Sequence, residues 1–227
     1  MKNLLHLLGS FLVIALISLT LSCTSGPTLE LQKGTRIAFV GNNLGSRMME
    51  FGGLETELHL RYPDSTLFIR NLCDPGDTPG FRPRSGTNDP WAFPGAEQFQ
   101  DEYANKSGSE GFFEKPDQWL TRLQADVVIG FFGFNESFQG EVKLQNFKDE
   151  LEAWILHSKA QRYNGKGAPQ LALVSPIAFE DLSEIKDVPN GKLENENLQR
   201  YTDAMEEVAK KHQIVFVDAF SPSKSWY

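Results

Sequence analysis

The sequence predicts an α/β protein: three layers, with a central parallel sheet of about five strands between two layers of helices. Two observations predict it. Short continuous apolar runs such as Ile37-Ala38-Phe39-Val40 and Val127-Val128-Ile129 have strand length and no polar alternation, which suits strands buried on both faces. They alternate along the chain with longer segments of helical periodicity, and that alternation builds a parallel sheet. A length of 227 residues, 40% of them hydrophobic, suits one domain with a sizeable core.

The elements follow in order. The first strand covers 36–40. A helix over about 46–62 puts Met48, Phe51, Leu54, Leu58 and Tyr62 on one face, is weakened by Gly52-Gly53 and is ended by Pro63. The second strand covers 66–72. A short helix over 116–123 leads into the third strand, 126–130. A long helix, about 142–163, turns Leu144, Phe147, Leu151, Trp154 and Ile155 inward. The fourth strand covers 170–175. A helix over about 196–211 turns Leu198, Tyr201, Met205 and Val208 inward, and the fifth strand covers 214–217.

Residues 73–115 show no periodicity and exceed the usual length of a connection. They hold several prolines but also Phe81, Trp91, Phe93, Phe99, Tyr103, Phe112 and Phe113. Disordered segments are poor in aromatics, so this is an ordered excursion over the sheet. Its aromatics anchor the loop, offer stacking surfaces to a ligand, or both; Trp91 and Phe93 are the ligand-facing candidates.

The N-terminus differs from the rest. Lys2 precedes an apolar run over 11–21, followed by Ser22 and Cys23. One positive charge, a short apolar core and a small residue describe an export signal, too short for a membrane span. A cysteine directly after Leu21-Ser22 resembles a bacterial lipoprotein signal, in which Cys23 becomes the lipidated N-terminus. The expected organisation is a lipoprotein signal peptide over 1–22, a polar tether over 23–35 and a single domain over 36–227, in a cell-envelope lipoprotein. Plain secretion with Cys23 incidental is the alternative. Cys73 is the second and last cysteine, so no disulfide framework is expected, and four scattered histidines give no zinc pattern and imply no cofactor. A net charge of −8 with no basic stripe argues against a nucleic-acid partner.

In parallel sheets, ligands bind beyond the carboxyl ends of the strands. Three segments there form one pattern: Gly41-Asn42-Asn43-Leu44 after strand one, Asp74-Pro75-Gly76-Asp77 after strand two, and Gly133-Phe134-Asn135-Glu136 after strand three. The pattern resembles the SGNH hydrolase superfamily, also called the GDSL esterase/lipase family, whose sandwich is flavodoxin-like. The resemblance covers residues 36–218. It implies ester-hydrolase ancestry and gives position 43 to the nucleophilic serine. It also implies that the Gly76 backbone and the Asn135 side chain donate to an oxyanion hole, where such donors contribute roughly 3–4 kcal/mol each.

The chemistry-bearing residues depart from the pattern. Asn43 stands where the family has serine, and a carboxamide nitrogen has no proton that a histidine could usefully remove. Ser46 lies too far along and reads as a cap or surface residue. The family's Asp-x-x-His follows strand five; here Asp218 closes that strand and residues 219–227 hold no histidine. His6, His59, His157 and His212 read as surface or boundary residues. Three functions are compatible. The first is a catalytically degenerate domain that binds a small-molecule ligand, acylated or carbohydrate, through Asn42, Asn43 and loop aromatics. The second is an active ester hydrolase completed by sequence absent here. The third is a structural lipoprotein. Without a final helix, Phe216, Phe220 and Trp226 are expected to leave an apolar patch uncovered.

Overall fold

The computed structural model describes residues 26–82, 90–100 and 114–226. Five strands form one sheet in the order β2-β1-β3-β4-β5: β1 (Arg36–Gly41), β2 (Phe68–Asn71), β3 (Val127–Phe131), β4 (Gln170–Val174) and β5 (Val215–Val217). Every neighbouring pair is parallel, with Phe39 beside Asn71 and Ile129, and Gly130 beside Leu173. The helices are α1 (Asn43–Phe51), α2 (Gly53–Arg61), α3 (Pro116–Leu123), α4 (Phe134–Ser137), α5 (Leu144–Ala160), α6 (Lys192–Lys211) and α7 (Phe220–Lys224). This is the three-layer sandwich expected from the sequence.

The strands are buried on both faces because both faces carry helices. On one, Ala38, Val40, Val128, Leu171 and Leu173 pack with Leu120 of α3, Phe147, Leu151, Trp154 and Ile155 of α5, and Tyr201, Met205 and Val208 of α6. On the other, Ile37, Phe39, Ile69, Val127 and Phe131 pack with Leu44 and Met48 of α1 and Leu58 of α2. Leu29 and Leu31, in the segment read as a polar tether, close the same face. Each such side chain contributes about 1.5–3 kcal/mol on full burial.

Two expectations need correction. The single helix over 46–62 is two helices, because Gly52 adopts a left-handed conformation at φ 56° that ends α1 and starts α2. The chain turns there, so Phe51 and Tyr62 leave the supposed inner face and are 78% and 39% exposed, and Leu54 is 38% exposed. Phe220 does not lie uncovered. It begins the short helix α7 and is buried with Ala178, Leu198 and Phe134, while Phe216 packs against the main core. Of the three aromatics, only Trp226 stays out, 79% exposed.

The chain starts in the middle of the sheet, adds β2 on one side and then β3 on the other. The connections after β1 and β3 therefore part company and leave a crevice at the carboxyl end of the sheet.

Candidate functional site

The turn after β1 sits in that crevice and is held from three sides. Gly41 has φ 114°, and a Cβ there would lie 2.2 Å from the Phe131 carbonyl oxygen, so only glycine lets β1 run this close to β3. Asn42 is 1% exposed. Its backbone N–H donates to Phe131 O at 2.8 Å, and its side-chain Nδ2 donates to Glu136 Oε2 at 3.2 Å. Asn42 thus ties the first segment to the third across the switch point. Asn43 opens α1 and is half-buried.

The second segment is tied to the first by Asp74 N–H, which donates to Gly41 O at 2.9 Å, and by Asn71 Nδ2, which donates to Gly45 O at 2.6 Å. The third reaches the second through Asn135. Its Nδ2 donates to Pro75 O at 2.7 Å and to Asp77 O at 3.2 Å, the residues that flank Gly76. The Gly76 N–H donates to Asp74 Oδ1 at 3.3 Å. Gly76 and Asn135 are therefore neighbours, but their donors are engaged by protein acceptors in hydrogen bonds near the surface. An oxyanion would have to displace two carbonyls and a carboxylate to reach them.

Beneath these turns lie acids that the sequence did not mark. Glu136 is buried; its Oε2 accepts from Gly133 N–H at 2.9 Å and from Asn42, while Oε1 is buried without a hydrogen-bond partner among the described residues. Burial, then repulsion from Glu150, raises its pKa to about 8 against the pull of the hydrogen bonds. Its surroundings thus favour the protonated form. Glu150 is also buried, and its Oε1 accepts from Thr78 Oγ1 and Gly80 N–H at 2.8 Å and from Gln100 Nε2 at 3.0 Å. Asp77 and Arg82 form a buried ion pair at 2.8 Å. Arg82 also donates to the Leu72 carbonyl and stacks on Trp119. Burial raises Asp77 to about 7 despite Arg82. These polar contacts, not periodicity, hold the described parts of the long loop; Tyr103, Phe112 and Phe113 lie outside the described residues.

Beside Asn43 opens a groove of about 710 Å³. Leu44, Met48, Phe51 and Leu54 of α1 and α2 form one wall, and Phe134, Pro176 and Ile177 the other, with Asn43 and Arg47 as its polar groups. The break at Gly52 makes this wall: it turns Phe51 and Leu54 out of the core and into the groove. Trp91 and Phe93 do not line it. Phe93 is buried and stacks on His157, with ring centroids 5.6 Å apart, and Trp91 pairs with Phe81, so both anchor the loop.

Among the described residues no histidine lines the groove. His157 bonds Asp117 at 2.8 Å, His212 bonds Glu152 at 3.0 Å, and His59 lies 3.9 Å from Glu55 on exposed α2. Cys73 is free and buried, and burial raises its thiol far above the usual range, so it offers no thiolate. Cys23 lies outside the described residues. Among the described residues no group of three His, Cys, Asp or Glu could hold a metal, and no helix is long and apolar enough to cross a membrane.

Comparison with solved structures decides the fold. A GDSL-like lipase from Parabacteroides merdae superimposes with a TM-score of 0.54 at 16% identity, over 86% of this chain and 82% of that one. An acetylxylan esterase from Geobacillus stearothermophilus, a catalytic mutant, gives 0.53 at 12% identity, over 87% and 82%. A gut microbial diltiazem-metabolizing enzyme gives 0.54 at 16% identity, over 87% of this chain but only 39% of that one, so this chain spans well under half its length. This is an SGNH/GDSL hydrolase-like fold. Neither a protein-family model nor a curated protein matches the chain.

Within this SGNH/GDSL hydrolase-like fold, the turns after β1, β2 and β3 meet at one crevice, with asparagine at position 43. The end of β5 adds a further departure. Three residues beyond Asp218, the spacing of the family's histidine, stands Ser221, whose backbone N–H donates to Asp218 Oδ1 at 2.9 Å. The Asp218 carboxylate is thus engaged by the first turn of α7.

Proposed function

We propose that this chain is an exported domain of ester-hydrolase ancestry that holds an acylated ligand without cleaving it by a serine mechanism. The observation that carries this reading is the groove: the residue at the nucleophile position, Asn43, opens on about 710 Å³ of mostly aliphatic and aromatic lining. Such a wall suits a hydrocarbon chain, because a sugar would leave most of its hydroxyls unpaired there. The carbohydrate part of an acylated sugar would lie outside, with the ester near Asn43 and Arg47. The engaged donors of Gly76 and Asn135, and Ser221 at the histidine spacing, support binding without turnover.

A fluorophosphonate probe tests the absence of serine chemistry. Neither the wild type nor Asn43→Ser is expected to be labelled, since a hydroxyl without a base remains a weak nucleophile. A covalent adduct on any serine of the wild type, located by mass spectrometry, would refute the reading.

The same proposal places the protein in the cell envelope, anchored through lipid on Cys23. Fatty-acid labelling in cells is expected for the wild type and not for Cys23→Ala. Equal labelling of both would exclude the anchor.

A further inference from the structure

The charges of this acidic protein are unevenly distributed along the strand direction. Segments that lead into or form the amino end of the sheet carry Lys33, Arg36, Arg70, Arg162, Lys166 and Lys210, none ion-paired with another described residue, and all exposed except Arg36, which is half-buried. The acids on the connections at that end are Glu30, Asp64 and Asp126, and the Asp126 carboxylate is occupied by the Arg36 backbone N–H and by Asn164. The opposite end has an acidic excess: exposed Glu180, Asp181, Glu184, Asp187 and Asp218 lie on connections that leave the strands, against exposed Lys186, Lys192 and Lys224.

Two further observations concern the basic end. Arg36, Arg70 and Arg122 line one cavity of about 230 Å³ beside Phe68; among the described residues the one acid paired with these guanidinium groups is Glu114, bonded to Arg122, while Arg36 and Arg70 donate to the Leu123 and Ile69 carbonyls. The N-terminal segment leaves the domain from this end. Glu30 exchanges hydrogen bonds of 2.7 and 2.9 Å with the side chain of Gln170, the first residue of β4. Cys23 lies seven residues before Glu30 in sequence, a reach of at most about 25 Å.

We infer that the amino end of the sheet is a docking face for an anionic bilayer surface, with the guanidinium-lined cavity receiving a lipid phosphate. The inference rests on the lipid anchor at Cys23, which would hold this end, and no other, against the membrane. Exposed cations on one face gain attraction to anionic headgroups within about a Debye length, while the acidic end is repelled and turned outward. Guanidinium groups suit phosphate oxygens, which they bind in pairs. The groove beside Asn43, at the carboxyl end, then points away from the membrane and toward ligands in the envelope space.

The test uses the full chain with Cys23→Ala, which removes the anchor and leaves the face. Co-sedimentation is measured with phosphatidylglycerol-containing vesicles and with pure phosphatidylcholine vesicles, at low and high salt. Any contribution of the apolar residues 11–21 is common to both vesicle types. Binding is expected to favour the anionic vesicles, to fall at high salt, and to drop at least about tenfold when Lys33→Glu, Arg70→Glu and Arg162→Glu are combined. Equal binding to both vesicle types, or no loss in the triple variant, would overturn the inference. Equally tight binding to duplex DNA would also overturn it, as would inorganic phosphate at low millimolar concentration that releases the protein from vesicles. Failure of the anchor itself is read separately, by the fatty-acid labelling of Cys23.

Discussion

Replacing Arg82 with alanine is expected to destabilise the domain by about 3–5 kcal/mol, measured by urea unfolding. Arg82 and Asp77 are 6% and 2% exposed as side chains, so the substitution strands a buried carboxylate. It also removes the donor to the Leu72 carbonyl and the cation above Trp119. The loss should be smaller in Arg82→Ala combined with Asp77→Asn, because no charge is then left unpaired. A double variant no more stable than the single one would show that packing of the arginine, and not its pairing, carries the effect.

The second large effect is a dependence on pH set by Glu136. Its folded pKa, about 8, lies above the value of 4.5 for an unperturbed glutamate. Below about pH 4.5 both states hold the proton and the group is neutral in effect. Between about 4.5 and 8 the unfolded chain binds fewer protons than the folded one, so stability falls as pH rises. Above about 8 both are ionised and the dependence ends. Asp77, raised to about 7, adds to the same trend. The wild type should therefore unfold at lower urea at pH 8 than at pH 5. Glu136→Gln keeps an acceptor for Gly133 and Asn42 but cannot ionise, and its loss across that range should be smaller by about 2–4 kcal/mol. Parallel profiles for the two proteins would mean that Glu136 is already ionised in the fold.

Much of the sandwich was legible because its signals are local. The apolar run of β3 has strand length, and the stripes Phe147-Leu151-Trp154 and Leu198-Tyr201-Met205-Val208 repeat at helical spacing; all seven of these helix residues are buried. The face of the first helix was not legible. Phe51 and Leu54 continue the period of Met48, and only the left-handed Gly52 breaks it. Two adjacent glycines are the available signal, and in sequence a glycine that merely weakens a helix looks the same as one that ends it in a left-handed turn. The groove depends on that difference. The long loop escaped for a different reason. Its described parts are held by Glu150 reaching Thr78 and Gly80, and by Asn135 reaching Pro75 and Asp77, partners 58 to 72 residues apart with no periodicity linking them. The site itself was read through Asn42, Asn43, Gly76 and Asn135 and their resemblance to a family. The residues that brace them, Glu136 and Glu150, look in sequence like ordinary surface acids, the usual fate of glutamate.

Asn42 shows why the brace matters. Glu136 Oε2 accepts one hydrogen bond from the Gly133 N–H. Asparagine supplies the second donor and keeps the turn that carries Asn43 joined to the turn that carries Asn135.

The central claim is that the groove beside Asn43 binds acyl chains that the protein does not cleave. One measurement reads both halves. The purified chain, loaded with a fluorescent fatty acid, is titrated with a medium-chain nitrophenyl ester while displacement and nitrophenol release are followed together. The account predicts saturable displacement, weakened about tenfold or more by Leu44→Asp combined with Ile177→Asp, with release no faster than in buffer. Enzymatic release of nitrophenol that Asn43→Ala abolishes, or a fatty acid that never binds, would contradict it.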